Sequence, residues 1–527
     1  MMFSYRSLSF HESHPDLELI RLGRRLGFND LTFQTEKGTM PRLEDLAKRA
    51  EAGGWFRLAR ELGMTVTVWT HELNELDPEW VAICPNNVKV WDGIERRYRY
   101  VLDELLPEID NLCLTVVESA HDTANRRLLI ELVKRLNRLC RQRDKRLILR
   151  SFVHHPDQAA EVTSVLADLP TEVSVLTKAV PQDWHLRHID NPLIGAVQGR
   201  EQFVEEDIAG EYFWEDRVAN CFTNVLERRF RHWQQHGVAG LSVRVDRGWA
   251  PRVRQARILH RPQEANLWAL GYLAADKGTV EDAWRDYSRE RFGPAAEAMT
   301  RALRPTGKVI GEALCVGRES FGCPRHIHPI QAVLRHRPGQ KWGVQRNREA
   351  RAEEMLKRED ELVINPFHNY WSVFRWDPSF RDEYEALRRA DPAVIERNRE
   401  TLARAAELAE QCLRDFEAAA DTLDPRQARL LRFLLEENRL RLEAGGGMQQ
   451  AWLTGARSVL ADGPAEKEEY RQRCREHLDR LDELRVAHES RKVAGEWAGR
   501  AYHLVRFEGI DLAGFIVDMR RYFQLAP

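Results

Sequence analysis

The sequence predicts a (β/α)8 barrel followed by an α-helical domain. Three observations carry that reading. Short runs rich in Val, Leu, Ile and Phe alternate with amphipathic helical runs over the first 275 residues, as strands buried on both faces alternate with covering helices. The strand signal then fades, and long Arg/Glu/Ala/Leu-rich runs take over, the composition of packed helices. Finally, no GxGxxG or GxxxxGK[ST] loop follows any strand, which disfavours the rival open, doubly wound sheet. Residues 1–275 are therefore assigned to the barrel and 276–527 to a helical domain, consistent with a chain too long for a single core.

The strands are read in order at Tyr5–Phe10, Leu31–Thr35, Thr65–Thr70, Leu112–Val117, Arg146–Val153, Val173–Lys178, Phe203–Ile208 and Gly240–Val245. Between them, Asn125–Arg143 repeats Leu128, Leu129, Leu132, Val133, Leu136 and Leu139 at helical spacing, and Asp216–His236 does so with Val218, Phe222, Val225 and Phe230. In the second half the long helices are Ala393–Thr422, Pro425–Ala444 and Ala465–Val493, with Gly445–Gly447 read as a break. An aromatic, loop-like stretch lies at Ile364–Phe380.

Composition narrows the function. The chain has 80 Lys and Arg against 82 Asp and Glu, a formal net charge of -2. This is not the basic excess of a nucleic-acid binder. No run approaches the ~18 apolar residues of a membrane span, and the N-terminus lacks the pattern of a signal peptide. Eight scattered cysteines without a CxxC pair read as reduced thiols, so a cytoplasmic protein is expected. His326 and His328 in CPRHIHP lack an evident third ligand, so no metal site is assigned. These two, with His368, Asn369 and Trp371, could instead form a loop surface over the barrel mouth. No GxSxG elbow and no recognisable nucleophilic Cys is present.

Chemistry in such barrels sits at the C-terminal strand ends. Those ends carry Glu118 after the fourth strand, Arg150 on the fifth, Lys178 and then Asp183 after the sixth. Glu205, Glu206, Asp207 and Glu211 follow in the seventh unit, and Asp246 and Arg247 after the eighth. Three separated carboxylates, Glu118, Asp183 and Glu211, suit glycoside hydrolysis, in which one acid protonates the leaving oxygen and another carboxylate attacks or activates water. Arg150 and Lys178 could hold an anionic substituent. Each has a plainer reading as well. Glu118 fits a strand-end salt bridge, Asp183 a turn cap, and Arg150 and Lys178 simple neutralisation of acids. Glu206 and Asp207 read as solvated or paired, and Asp246 with Arg247 as a supporting ion pair. Tyr212 and Trp214 suit either a sugar-stacking role or core packing.

The segment Lys178–Val218, KAVPQDWHLRHIDNPLIGAVQGREQFVEEDIAGEYFWEDRV, resembles the corresponding region of glycoside hydrolase family 67, the α-glucuronidases. That family has a Lys five residues before an Asp, a PLFGA-like turn, an E-x5-EY element and an Asp-to-Glu separation of 28. Here Lys178 precedes Asp183 by five, Pro192–Ala196 reads PLIGA, Glu205 and Glu211-Tyr212 form the element, and Asp183 to Glu211 is 28 positions. LILRSFVHH, carrying Arg150, resembles the family's Arg-x-Phe-Val strand. Asp246-Arg247 and ANLWAL at Ala265–Leu270 resemble its DRNW…ANWYAFG region.

The resemblance covers roughly residues 95–285. It implies Glu118 as general acid and Asp183 with Glu211 as the groups activating water. It places Arg150 and Lys178 on the uronate carboxylate, with Glu205, Tyr212, Asp246 and Arg247 around the substrate. It further implies inversion, no cofactor, a short oligosaccharide substrate and a homodimer. The sequence departs from the family at the acid, where K-x3-E-G-Q-P-G-P is replaced by LTVVESAHD with Leu114 in the place of the lysine. The family's N-terminal domain has no counterpart, because the barrel pattern begins almost at Met1. Another uronic acid, a neutral α-glycoside, or a non-hydrolytic sugar-binding role therefore stay open.

Overall fold

The computed structural model describes residues 2–11, 15–35, 40–71, 88–115, 126–151, 153, 156–182, 184, 186–197, 199–209, 218–245, 258–321, 366–367, 372–489 and 512–525. The chain divides into two compact units. The first comprises Met1–Trp184, Asp190–Glu211 and Phe222–Ala296; the second comprises His185–Ile189, Tyr212–Cys221 and Glu297–Pro527.

The first unit is a closed barrel of eight parallel strands in sequential order. They are β1 (Tyr5–His11), β2 (Asp30–Gln34), β3 (Thr65–His71), β4 (Asn111–Thr115), β5 (Arg146–Ser151), β6 (Ser174–Lys178), β7 (Gln202–Asp207) and β8 (Gly240–Arg244). The barrel closes by pairing β1 with β8, Tyr5 opposite Gly240. Gly240 is required there, since a Cβ would lie 2.4 Å from the Tyr5 carbonyl oxygen. Its helices are α1 (Leu17–Leu26), α2 (Met40–Gly53), α3 (Trp55–Glu61), α4 (Val88–Tyr100), α5 (Arg126–Arg141), α6 (Pro156–Ala167), α7 (Thr223–Gln235), α8 (Glu264–Ala274) and α9 (Val280–Phe292). The crossover from β6 to β7 contains no helix among the described residues. Pro181, Pro192 and Gly195, the last at φ 79°, suit a loop there.

Alternation along each strand sorts the barrel wall. Leu8, Phe33, Val66, Val68, Leu112, Leu114, Leu147, Leu149, Val175, Val204, Leu241 and Val243 are buried on the outer face. Tyr5, Trp69, Cys113, Ile148, Leu176 and Phe203 pack together inside. The interior also holds a carboxylate near the N-terminal strand ends. Asp30 accepts hydrogen bonds from Ser7 Oγ (2.6 Å), Tyr5 OH (3.0 Å), Thr65 Oγ1 (2.6 Å), Thr67 Oγ1 (2.9 Å) and Asn111 Nδ2 (3.3 Å). These donors come from β1, β3 and β4 and converge on one side chain of β2, which ties the four strands together from within.

The expected helix Asp216–His236 starts only at Thr223. Side chains claim the preceding backbone. Asn438 both accepts from Ala219 N (3.0 Å) and donates to its carbonyl (2.7 Å), and Cys221 N donates to Thr306 Oγ1 (3.0 Å). Backbone groups satisfied this way have no call on a helical turn.

The second unit contains α10 (Ala296–Leu303), α11 (Thr306–Leu314), a two-stranded ribbon of β9 (Cys315–Val316) and β10 (Glu319–Ser320), α12 (Val373–Trp376), α13 (Arg381–Arg388), α14 (Pro392–Glu417), α15 (Pro425–Leu460), α16 (Pro464–Glu489) and α17 (Leu512–Tyr522). Two of the long helices open with an Asp cap and a Pro at the first turn. Asp391 accepts from Ala393 N at 2.8 Å, and Asp424 from Arg426 N at 2.9 Å.

The expected break at Gly445–Gly447 is absent, and α15 runs unbroken for 36 residues. The glycines permit close packing instead. A Cβ on Gly445 would fall 2.3 Å from the Ala313 carbonyl oxygen on α11, one on Gly446 2.8 Å from Leu402 on α14, and one on Gly447 2.7 Å from Leu481 on α16. Three neighbouring helices thus approach α15 at successive residues, and packing outweighs the ~1 kcal/mol helix cost of each glycine.

A pair of substitutions separates packing from propensity. Gly445→Ala should destabilise the protein by about 1–3 kcal/mol in urea unfolding despite its better helix propensity. Gly93→Ala on α4, whose added Cβ meets nothing within 4 Å, should instead stabilise it by up to ~1 kcal/mol.

Candidate functional site

The C-terminal strand ends of the barrel place a charged cluster inside a wall of apolar residues. Inward positions are taken by Gln34 on β2, Trp69 on β3, Thr115 on β4, Arg150 on β5, Lys178 on β6, Glu205 and Asp207 on β7, and Arg244 on β8. The register sets their levels, pairing Lys178 with Glu205 and Asp207 with Arg244. All of them are buried, Arg150 to 1% and Glu205 to 2% exposure.

Glu205 is the centre of the cluster. Its carboxylate accepts from Arg150 Nε at 2.5 Å and Nη2 at 3.2 Å, a two-pronged contact. Arg244 Nη1 lies 3.3 Å from Glu205 Oε1 and 4.0 Å from Asp207 Oδ2, while its Nη2 donates to Gln34 Oε1 at 3.0 Å. The indole of Trp69 supports both guanidiniums, with Arg150 Cζ 4.6 Å and Arg244 Cζ 5.5 Å from the ring centroid. Trp69 is itself held by donation from Nε1 to Thr115 Oγ1 at 2.6 Å.

Burial alone would raise the Glu205 carboxyl, but Arg150 and Arg244 outweigh it, with Lys178 adding to them, and hold it below the usual carboxylate range. Glu205 is therefore ionised at neutral pH. Among the described residues, Arg150, Lys178 and Arg244 face two carboxylates, Glu205 and Asp207. These described charges share one buried layer.

The neighbouring Glu206 points the opposite way, into the wall. It is fully buried and accepts from Arg229 Nη1 of α7 at 3.0 Å and from Trp184 Nε1. Burial raises its carboxyl above the ordinary range, opposed by Arg229. The loop after β6 is thus pinned on both sides of position 183. Trp184 packs on Phe222 at 5.0 Å beneath Arg229, and Gln182 N donates to the Val153 carbonyl at 3.1 Å.

Of the site residues expected from sequence, the structure brings Arg150, Lys178 and Glu205 together. Glu118, Asp183, Glu211, Tyr212, Asp246 and Arg247 lie outside the described residues, as do His326, His328, His368, Asn369 and Trp371. The sequence reading missed Arg244 and Trp69. Strand alternation could have found Arg244, because Gly240, Ser242 and Arg244 share the inner face of GLSVRV. The same alternation turns Leu114 outward, since Cys113 and Thr115 face the interior. Leu114 is 0% exposed in the wall. Arg244 from β8 adds a third cation to the layer beside Arg150 and Lys178.

No protein-family model and no curated protein matches the sequence. Solved structures do. A GH138 enzyme targeting pectin rhamnogalacturonan II has a TM-score of 0.60 at 10% identity, over 99% of this chain and 67% of that one. An O-GlcNAc hydrolase of Thermobaculum terrenum aligns over 99% of this chain and 94% of its own at 10% identity, with a TM-score of 0.41. The first likeness shows the fold, and the chain is a TIM-barrel protein with an added helical region. No described helix is long and apolar enough to cross a membrane.

Glu205→Gln removes the counter-charge of two buried guanidiniums and should cost about 3–5 kcal/mol of stability at pH 7. The folded value of Glu205 is depressed, so its contribution is complete above the ~4.3 of an unfolded Glu and is lost as pH falls through the lower folded value. Urea unfolding as a function of pH should therefore show a wild-type acid loss that is smaller in Glu205→Gln.

Proposed function

We propose that the chain is a glycoside hydrolase acting on an α-linked uronic acid. In its most specific form it is an inverting, exo-acting α-glucuronidase that releases glucuronic acid, or its 4-O-methyl form, from short oligosaccharides. The observation that carries this reading is the buried cluster of Arg150, Lys178 and Arg244 around Glu205 at the C-terminal strand ends of the barrel. A uronate carboxylate is the sugar substituent that such a cluster would select, and the two guanidiniums lie over the Trp69 ring.

The barrel seen in a GH138 enzyme and the spacing Lys178…Asp183…Glu211 support the reaction class. Glu118 would protonate the glycosidic oxygen as the bond breaks, while one of the pair Asp183 and Glu211 takes the proton of the attacking water and the other helps to orient it. Inversion calls for acid and base carboxyls ~6.5–9.5 Å apart, leaving room for that water. The chemistry needs no cofactor. On this reading the enzyme works in the cytoplasm on short imported oligosaccharides, as a homodimer. A neutral α-glycoside is the second reading. It is favoured by Glu205, which already occupies both guanidiniums.

The test is uronic-acid release from glucuronic-acid-decorated xylo-oligosaccharides. Wild type should turn over, Glu118→Gln and Asp183→Asn should each lose at least ~10²-fold in kcat, and Arg150→Met should lose at least ~10²-fold in kcat/KM. Turnover of neutral α-glycosides in preference to uronides would replace this reading with the second one. Sugar binding without turnover of any glycoside would leave a non-hydrolytic binding protein.

A further inference from the structure

The ribbon of β9 and β10 fastens α12 through one side chain. Glu319 on β10 is 1% exposed. Its carboxylate accepts from Val373 N at 3.0 Å and from Phe374 N at 2.8 Å. These amides open α12, where a helix offers them no partner of its own. Ser372, at the cap position, makes no cap bond with its side chain. Glu319 supplies that anchor from a distant point in the chain.

Seated by this contact, α12 stacks Phe374 on Tyr384 of α13, with ring centroids 4.7 Å apart. It also sets Trp376 edge-on to His188, 6.5 Å away. The same ribbon holds the residue before His188. Arg187 donates from Nη1 to the Gly317 carbonyl at 2.7 Å and pairs through Nη2 with Glu312 at 2.6 Å. The ribbon, α12 and the stretch His185–Ile189 therefore form a closed ring of contacts within the second unit, with Glu319 joining the first two.

That joint is a buried carboxylate without a countercharge, since no Lys or Arg among the described residues pairs with it. Glu383 of α13 stands nearby, accepts from Arg318 N at 3.1 Å and adds like charge. The neighbouring cations are turned elsewhere. Arg318 lies over Phe380 at 4.5 Å, Arg381 over Phe374 at 5.9 Å, and Arg187 is taken by Glu312. Of the other ionisable groups on the packed elements, Arg375 lies on α12 and the Cys315 thiol on β9.

Burial pushes the Glu319 carboxyl up to about 7, with Glu383 adding to the rise and the hydrogen bonds opposing it. Released into water, the same group would titrate near the ~4.3 of an ordinary Glu. The folded value is the higher one, so the fastening is strongest below that ~4.3. It weakens as pH rises towards 7 and changes little beyond.

We propose that the Glu319 contact is a proton-operated latch, which holds α12 on the ribbon while the carboxyl is neutral and favours local opening of α12 once it is ionised. Opening withdraws Trp376 from His188 and Phe374 from Tyr384. The latch does not rest on the glycosidase reading.

Hydrogen–deuterium exchange of the full chain tests it, read on the peptide covering residues 372–376 with intrinsic exchange rates divided out. From about pH 5 to about pH 8 the wild-type peptide should lose protection by at least ~10-fold, most of it below pH 7. Glu319→Gln keeps an oxygen acceptor and cannot ionise, so its protection should stay constant. If that variant is open at every pH, Glu383→Gln decides, because removing the like charge with the latch bonds intact should shrink the wild-type loss. Protection constant across pH in the wild type would overturn the proposal. So would an equal loss in Glu319→Gln, or a loss left unchanged by Glu383→Gln.

Discussion

The barrel end is organised around one buried interaction, the carboxylate of Glu205 between the guanidiniums of Arg150 and Arg244. Each of these ions would be costly alone in an apolar wall. Together, and laid on the face of Trp69, they are paired and hydrogen-bonded, so three strands that are distant in sequence are held in one charged layer. On the proposed reading, the three cations of that layer together set the kind of ligand the barrel receives. The stability of the wall and the chemistry of its mouth therefore share the same side chains.

Two adjacent carboxylates do different work because a strand alternates its faces. Glu205 points inward, paired with Arg150 and ionised. Glu206 points outward, paired with Arg229 of α7 and shifted the other way by burial. Through Trp184 the outer pair holds the loop that follows β6. The inner face thus prepares a charged surface while the outer face anchors the loop beside it, and both depend on the register of β7. A one-residue slip would exchange the two carboxylates and undo both arrangements.

The barrel was legible because its strands are short apolar runs with sharp bounds. Each of the eight agrees with its expected span to within two residues wherever the span is described. Arg150, Lys178 and Glu205 were legible as charges at the ends of such runs. Arg244 closes the inner face of β8 and is less conspicuous in sequence, because the charged pair Asp246-Arg247 lies just beyond it. The triple glycine was read by propensity alone. Its purpose is set by Ala313, Leu402 and Leu481, residues far away in sequence that no local pattern reveals. The delayed start of α7 has the same origin, in the distant Asn438 and Thr306.

On the proposed reading the charged layer selects an anion. The most direct measurement is the affinity of the full chain for free glucuronate against glucose, with Arg244→Met alongside. The account predicts at least tenfold tighter binding of glucuronate, a preference that weakens with added salt and is largely lost in the variant. Equal affinity for the two sugars, or a preference for glucuronate unchanged by Arg244→Met, would contradict it.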